Sequence, residues 1–284
     1  MDKRLPPWLK RGIIDTEKTR YVRKILREKQ LNTVCDSARC PNKNECYSNK
    51  TATFMILGNV CTRNCRFCSV NKGTPEPLRL DEPQKVAEAV HELGLEYIVI
   101  TSVTRDDLPD GGASHFAETI RAVKNINSSI KVEVLTPDFQ GKTTAIDTVI
   151  NAMPDVINHN IETVKRLYPK ARPMADYKRS LEFLKYVKTT APHIFTKTGM
   201  MVGLGETREE LIGAFKNLKA IECDIVTIGQ YIQPTRQNLE VERYLEPDEY
   251  VELERIAREI GIKSPVFGAL VRSSYKAKEC LSRK

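Results

Sequence analysis

The sequence predicts an α/β fold, a partial (β/α)6 barrel of the TIM type. Three observations carry this. Six apolar runs are each followed by a helical segment, the alternation that builds a parallel sheet. The runs are continuously apolar rather than alternating, as strands buried on both faces are. Polar residues gather at their C-terminal ends, where barrels of this kind keep their chemistry.

The elements follow in order. Residues 15–30 form a polar helix with Tyr21, Ile25 and Leu26 on one face. A cysteine-rich loop comes next, and then the first strand, "TATFMILG". The helix "EPQKVAEAVHELG" has Pro83 near its start and Gly94 at its end, as helix boundaries prefer. The other strands are "EYIVITSV", "IKVEVLTP", "DVINHNIET", "FTKTGMMVGLG" and "DIVTIGQYIQP". Between them lie the helices "GASHFAETIRAVKNI", "KTTAIDTVINAM", "DYKRSLEFLKYVKTTA" and "REELIGAFKNLKAI". "PDEYVELERIAREIG" is a last long helix. Three segments are expected: an N-terminal extension over 1–50, the barrel over 51–240, and a C-terminal helix and tail over 241–284.

The chain has 284 residues, enough for a large core, and α/β barrels of this size are often single units. No apolar run is long enough to span a bilayer. "MDKRLPPWLKRG" lacks the apolar core of a secretory signal, so a cytoplasmic protein is expected. The net charge of +8 serves solubility or an acidic partner. Without a long Lys/Arg block or aromatic–basic interleaving, neither nucleic acid nor membrane is an expected partner.

The cysteines narrow the chemistry. Six of the eight lie between Cys35 and Cys68, in two groups. A disulfide framework is out of place in a cytosolic chain, and such clustering favours metal or iron–sulfur ligation. Cys61, Cys65 and Cys68 are spaced C-x₃-C-x₂-C just past the first strand; Cys35, Cys40 and Cys46 are spaced C-x₄-C-x₅-C upstream. Both groups stop at three, where a metal usually takes four protein ligands. Cys223 and Cys280 stand alone, as a small buried hydrophobe or an incidental thiol would.

Three thiolates on one short loop can hold three corners of a 4Fe–4S cube and leave one iron open. A zinc site with a distant fourth ligand is the alternative, but zinc knuckles favour paired C-x₂-C hooks. The loop resembles the radical SAM signature. The resemblance implies that S-adenosylmethionine chelates the open iron and is cleaved to a 5′-deoxyadenosyl radical. The strand-end residues then form a cofactor-binding surface: Thr101, Ser102 and Asp107, then Asn158, Asn160 and Glu162, then Gly203, Gly205 and Glu206. Asn160 or Glu162 could equally cap the next helix. "GLGE" could equally be a plain turn. His159 is as well explained as a structural histidine as a ligand.

The upstream group could be an electron relay, a structural staple or a sulfur source, and spacing alone does not choose. Six segments carry a second resemblance. "CDSARCPNKNECYSNKTATFMILGNVCTRNCRFCSV", "YIVITSVTRDDLPDGGASHF", "PDVINHNIETVKRLYPKARP", "KTGMMVGLGET", "DIVTIGQYIQP" and "LVRSSYKA" together resemble the lipoyl synthase family, in that family's order from Cys35 to Ala277. The resemblance implies insertion of two sulfur atoms at the sixth and eighth carbons of a protein-bound octanoyl-lysine. Two 4Fe–4S clusters take part, and the auxiliary one is sacrificed as sulfur donor. It implies that Ser274, in RSSY, binds the fourth iron of the auxiliary cluster beside Cys35, Cys40 and Cys46. The N- and C-terminal extensions would then close the barrel mouth. Expected partners are an octanoylated lipoyl carrier protein or domain, an electron donor such as ferredoxin or flavodoxin, and an iron–sulfur carrier for cluster repair.

The chain departs from the family pattern in places. "RQNLEV" stands where His-Leu-Pro is usual, Tyr47 where Trp is usual, and "FGALVRSSYKA" lacks the Ser-Gly-Pro lead and the His after Tyr. Two other functions remain in view at this point. One is another two-cluster radical SAM enzyme, such as a methylthiolating one; RSSY and the lack of an RNA-binding appendage oppose it. The other is a non-enzymatic iron–sulfur electron carrier, for which the strand-end polar motifs would have no use.

Overall fold

The computed structural model describes residues 4–10, 12, 16–275 and 277–282. By its contacts the chain divides into two units. The first comprises Ile13–Arg63 and Ser69–Ile157; the second comprises Met1–Gly12, Asn64–Cys68 and Asn158–Lys284.

In the first unit, helix α1 (Glu17–Glu28) is capped by Thr16, whose hydroxyl accepts from the Thr19 N–H at 3.2 Å. It buries Val22, Ile25 and Leu26. Tyr21, expected on the buried face, is 40% exposed; Val22 takes that place because it falls three residues before Ile25 and four before Leu26. The cysteine-rich segment is less loop-like than expected. It holds a two-residue strand β1 (Asn32–Thr33) and the short helices α2 (Val34–Ser37) and α3 (Lys43–Ser48). β1 runs antiparallel to β2 (Thr53–Ile56), the first expected strand, with Asn32 opposite Met55.

A small parallel pair, β3 (Val60–Cys61) and β4 (Asn71–Lys72), brackets the cysteine loop. Helix α4 (Glu82–Leu93) starts on Pro83 and stops at Gly94, which sits at φ 65° where a side chain would be strained. Strand β5 (Tyr97–Ser102) pairs parallel with β2 and with β6 (Lys131–Leu135), in register Thr53–Val99 and Tyr97–Lys131. Helices α5 (Ala113–Ile126) and α6 (Thr143–Ile150) follow β5 and β6. β2 is buried throughout, and β5 throughout except at Ser102. Strand β7 (Val156–Asn158) runs to the end of this unit.

In the second unit the chain beyond β7 lies along β8 (Phe195–Val202): the His159 N–H donates to the Lys197 carbonyl at 3.0 Å, and Glu162 bridges Met200. The short helix α7 (Tyr168–Ala171) and helix α8 (Tyr177–Thr190) precede β8. β8 pairs parallel with β9 (Ile225–Gln230), and β9 with β10 (Ser264–Phe267). β10 is a strand beyond the six expected. Helix α9 (Arg208–Ala220) opens with a capping box of Thr207 and Glu210; α10 (Pro247–Ile260) opens with one of Glu246 and Glu249. Among the described residues, no helix is long and apolar enough to cross a membrane.

Candidate active site

The first unit carries four of the six clustered cysteines. β2 ends in two left-handed residues, Leu57 at φ 69° and Gly58 at φ 94°, which turn the chain toward the cysteine motif. The Leu57 N–H is held by Glu82 Oε2 at 2.8 Å, and that oxygen also meets His115 Nε2 at 2.8 Å. Cys61 follows on β3. Its Sγ accepts two backbone hydrogen bonds, from Arg63 N at 3.4 Å and Thr104 N at 3.3 Å. Such donors suit a sulfur that carries thiolate charge on a cluster.

A polar lattice keeps these donors in place. The Arg63 side chain is buried, with Nε and Nη2 on the Asp106 carboxylate at 2.6 and 2.9 Å and Nη2 on Asp138 Oδ1 at 2.6 Å. Thr62 donates from its N–H and its hydroxyl to the Thr104 carbonyl, both at 3.0 Å; its hydroxyl also accepts from Asp106 N at 3.0 Å. Among the strand-end residues, Thr101 donates to the Leu135 carbonyl at 3.1 Å. Asp107 forms a two-pronged pair with Arg105, at 2.9 and 2.8 Å, and the Arg105 hydrogen bonds hold its carboxyl below the ordinary range. Ser102 Oγ is buried with no hydrogen-bond partner among the described residues, as a hydroxyl kept for a bound molecule would be.

Cys35 lies on α2 and Cys46 on α3; the Cys40 N–H donates to the Cys35 carbonyl at 3.1 Å. Burial pushes the Cys35 thiol up to about 11 and the Cys46 thiol to about 12. For Cys46, the neighbouring Cys35 and Cys40 add to the rise, so the three sulfurs share one neighbourhood. Cys35 is buried and Cys40 and Cys46 are half-buried; crowded thiolates are unfavourable alone and become favourable beside iron, so this group fits a cluster. Among the described residues, no three His, Cys, Asp or Glu side chains converge as they would on a single ion. A cube asks for something else, one thiolate per iron. Tyr47 is fully buried, its hydroxyl donating to Asp36 Oδ2 at 2.6 Å and lying 3.0 Å from Thr33 Oγ1.

The second unit carries Cys65 and Cys68, with the Cys68 N–H on the Cys65 carbonyl at 3.3 Å. The departing segment "RQNLEV" holds this loop. Asn238 Nδ2 donates to the Arg66 and Cys68 carbonyls at 3.1 and 3.0 Å, and Leu239 N donates to the Arg66 carbonyl at 3.0 Å. Asn238 Oδ1 accepts from Thr235 at 2.7 Å, which fixes the amide. In the sequence this segment is only a departure from the family pattern, since no local pattern announces a contact across 170 residues.

The strand-end residues of this unit meet the C-terminal turn. Asn158 is fully buried. Asn160 Nδ2 donates to Glu162 Oε1 at 3.2 Å and to Ser273 Oγ at 3.3 Å; Asn160 Oδ1 is buried without a partner among the described residues. Glu162 sits at φ 64°, a strained backbone for a residue with a side chain. Burial pushes its carboxyl above the ordinary range, against the Arg172 charge and the Asn160 hydrogen bond. Asn160, Glu162, Thr227, Gly229, Arg272 and Ser273 line a cavity of about 80 Å³. Gly229 allows the C-terminal segment to lie directly on β9, since a Cβ there would come within 1.9 Å of the Val271 carbonyl oxygen. Ser274 is in the same turn, where the Tyr275 N–H donates to the Arg272 carbonyl at 3.0 Å.

Other expected residues are committed to structure. Glu206 accepts from the Gly203 and Leu204 N–H groups at 2.6 and 3.0 Å; burial raises its carboxyl and these donors oppose the rise. Gly203 and Gly205 sit at φ 96° and 102°. A Cβ at Gly203 would strike Gln230 Nε2 at 2.2 Å and the Arg243 oxygen at 2.5 Å, so the room that glycine leaves is filled by protein. His159 is buried, 3.1 Å from Ser180 Oγ and with its ring tilted at 45° to that of Phe183, 5.0 Å away, the structural alternative. Cys223 is buried, its thiol pushed up to about 12 by burial, as a core residue would be. The side chain of Cys280 lies outside the described residues.

The Radical SAM superfamily signature matches residues 55–218. The lipoyl synthase of Caldanaerobacter subterraneus subsp. tengcongensis is 55% identical over 282 residues, covering 99% of each chain. The chain belongs to the lipoyl synthase family. The lipoyl synthase of Caldicellulosiruptor bescii is 54% identical over 272 residues, 96% of this chain and 94% of that one. The solved structure of HydG, a maturase of the FeFe-hydrogenase, matches 81% of this chain and 53% of its own, with a TM-score of 0.60 at 14% identity, a likeness of fold alone. The fold is thus α/β with a mostly parallel sheet, of the partial TIM-type barrel class. As a lipoyl synthase the protein is a sulfurtransferase that uses 4Fe–4S clusters and S-adenosylmethionine and acts on an octanoylated carrier. Full-length identity to lipoyl synthases sets aside the methylthiolating and electron-carrier readings.

Proposed function

We propose that Cys61, Cys65 and Cys68 hold the cluster that binds S-adenosylmethionine, and that Cys35, Cys40, Cys46 and Ser274 hold a second cluster consumed as the sulfur donor. When bound, the first cluster and S-adenosylmethionine supply a 5′-deoxyadenosyl radical, able to take hydrogen from an unactivated carbon. The chain's own residues bind, orient and shield. Ser102 and Asn160 offer buried polar atoms without partners among the described residues, as a polar cofactor requires. Asn158 and Glu162 add acceptors at the same strand end, and Thr101 and Asp107 order the strand end after β5. Gly203, Gly205 and Glu206 shape the turn after β8.

The second cluster is a substrate. At each of the two carbons in turn, the octanoyl radical would bond a different sulfide; that sulfide would leave its irons, iron would take up the one electron left over, and a proton would complete the thiol. A serine oxygen is a hard ligand on a site that prefers soft thiolate, so Ser274 is the ligand most easily protonated and released. The segment 1–50 would carry this cluster, 51–240 the radical machinery, and 241–284 the closing turn. The observation that supports the reading is the Asn160–Ser273 hydrogen bond, which ties the turn bearing Ser274 to a strand-end residue proposed for the cofactor.

A cytoplasmic setting, with an acidic carrier, ferredoxin or flavodoxin as electron donor, and an iron–sulfur carrier for repair, completes the proposal. The test is mass spectrometry of an octanoyl-lysine peptide incubated with reconstituted protein, reductant and S-adenosylmethionine. A gain of two sulfur atoms, as two thiols under the reductant, is expected. Cofactor cleavage with no sulfur in the peptide would defeat the donor assignment.

A further inference from the structure

We infer that Thr62, Arg63, Asp106 and Asp138 form a positioning lattice that sets the reduction potential of the cluster on Cys61 by aiming two backbone N–H groups at its sulfur. The inference rests on the proposal that Cys61 is a cluster ligand. Cys61 Sγ accepts from Arg63 N and Thr104 N, at 3.4 and 3.3 Å. One donor lies two residues along the motif; the other comes from the turn after β5. Their common target requires the two segments to keep a fixed spacing.

Two devices maintain it. The Thr62 hydroxyl bridges the segments directly, donating to the Thr104 carbonyl and accepting from the Asp106 N–H, each at 3.0 Å. The buried Arg63 side chain bridges them again, through Asp106 and then Asp138 beyond β6. Asp138 is itself fully buried and accepts the Gln140 N–H at 3.1 Å, so its carboxylate is anchored in turn. One neutral bridge and one charged bridge thus converge on the same pair of amides.

The consequence is a potential. Reduction adds one electron to the cluster, and the added negative charge is shared with the sulfurs. N–H groups aimed at a sulfur stabilise that charge and raise the potential. Loosening the lattice lowers it. Simple charge makes the opposite prediction for the carboxylates, because removing a negative charge near the cluster would raise the potential. The sign therefore separates positioning from bulk electrostatics.

The experiment is a dithionite titration with viologen mediators, followed by electron paramagnetic resonance. The signal read is the one that changes when S-adenosylmethionine is added. Thr62→Val removes the bridging hydroxyl and no charge. It should make reduction about tenfold less favourable, about 59 mV for one electron, with both clusters' iron retained. Thr62→Ser restores the hydroxyl and should restore the potential. Asp138→Asn should also lower the potential, by less, since the amide oxygen still accepts weakly. An unchanged potential in Thr62→Val with full iron, or a rise in Asp138→Asn, overturns the inference. If Thr62→Val fails to hold iron, the sign measured on Asp138→Asn decides alone. The Cys61→Ala protein tests the underlying assignment separately: should it keep the cofactor-sensitive signal, the ligand proposal itself fails, whatever the Thr62 variants do.

Discussion

At Ser274, replacement by Ala removes an oxygen and little else. Both clusters should still assemble, because three thiolates hold each. Cleavage of S-adenosylmethionine should persist while sulfur transfer falls sharply; full lipoyl formation would rule the serine out as a ligand. Its neighbour behaves differently. Ser273 shares a 3.3 Å hydrogen bond with Asn160, so Ser273→Ala should weaken cofactor binding by about 1 kcal/mol, about fivefold. Equilibrium dialysis with the labelled cofactor measures it. Replacing Cys61, Cys65 and Cys68 together by Ala should leave one cluster and abolish cleavage. The two cysteine groups stand out as candidates in the sequence because cysteine spacing is a local property of the chain, whereas Ser274 is proposed only through the family resemblance. Arg63 does not stand out, since its partners lie 43 and 75 residues away and an arginine in a cysteine loop looks like any solvated cation.

Among the elements, the six core strands announced themselves as apolar runs. β10 did not. It has four residues, including Ser264 and Pro265, and only pairing with β9 makes it a strand. β1 is shorter still. The segment 235–239 has no regular structure, yet it holds the Cys65–Cys68 loop. Asn238→Ala removes two side-chain donors from that loop and should cost about 2 kcal/mol. Iron should leave this variant faster under a chelator, and equal retention would deny the segment a role. Asp224, at the start of β9, joins Lys188 of α8, Lys263 before β10 and Thr196 of β8. Burial raises its carboxyl, but the hydrogen bonds of Lys188, Thr196 and Lys263 prevail and hold it below its ordinary value of 3.8. A depressed carboxyl adds stability above that value, lost as the pH falls through the lower folded value. Asp224→Asn should therefore be less stable at neutral pH by about 2 kcal/mol, and the gap to the parent should close in acid. Urea unfolding at two pH values tests this.

For the whole molecule, the net charge of +8 proposes an acidic carrier surface as the docking partner. Contacts between exposed charges fade beyond a Debye length, about 10 Å at 0.1 M salt. Affinity for the intact carrier should fall with salt, and affinity for a short octanoyl peptide should barely change. Equal sensitivity would leave the charge to solubility. The path of the C-terminal segment over β9 has a consequence for tolerance to change. Every side chain larger than hydrogen at position 229 must displace the Val271 backbone. Gly213, within α9, has open space around its missing Cβ, and alanine there favours the helix by about 1 kcal/mol. In saturation mutagenesis under selection for growth without added lipoate, Gly213 should accept alanine freely. Gly229 should accept nothing, and a screen blind to structure would mark out the resting place of the chain's own tail.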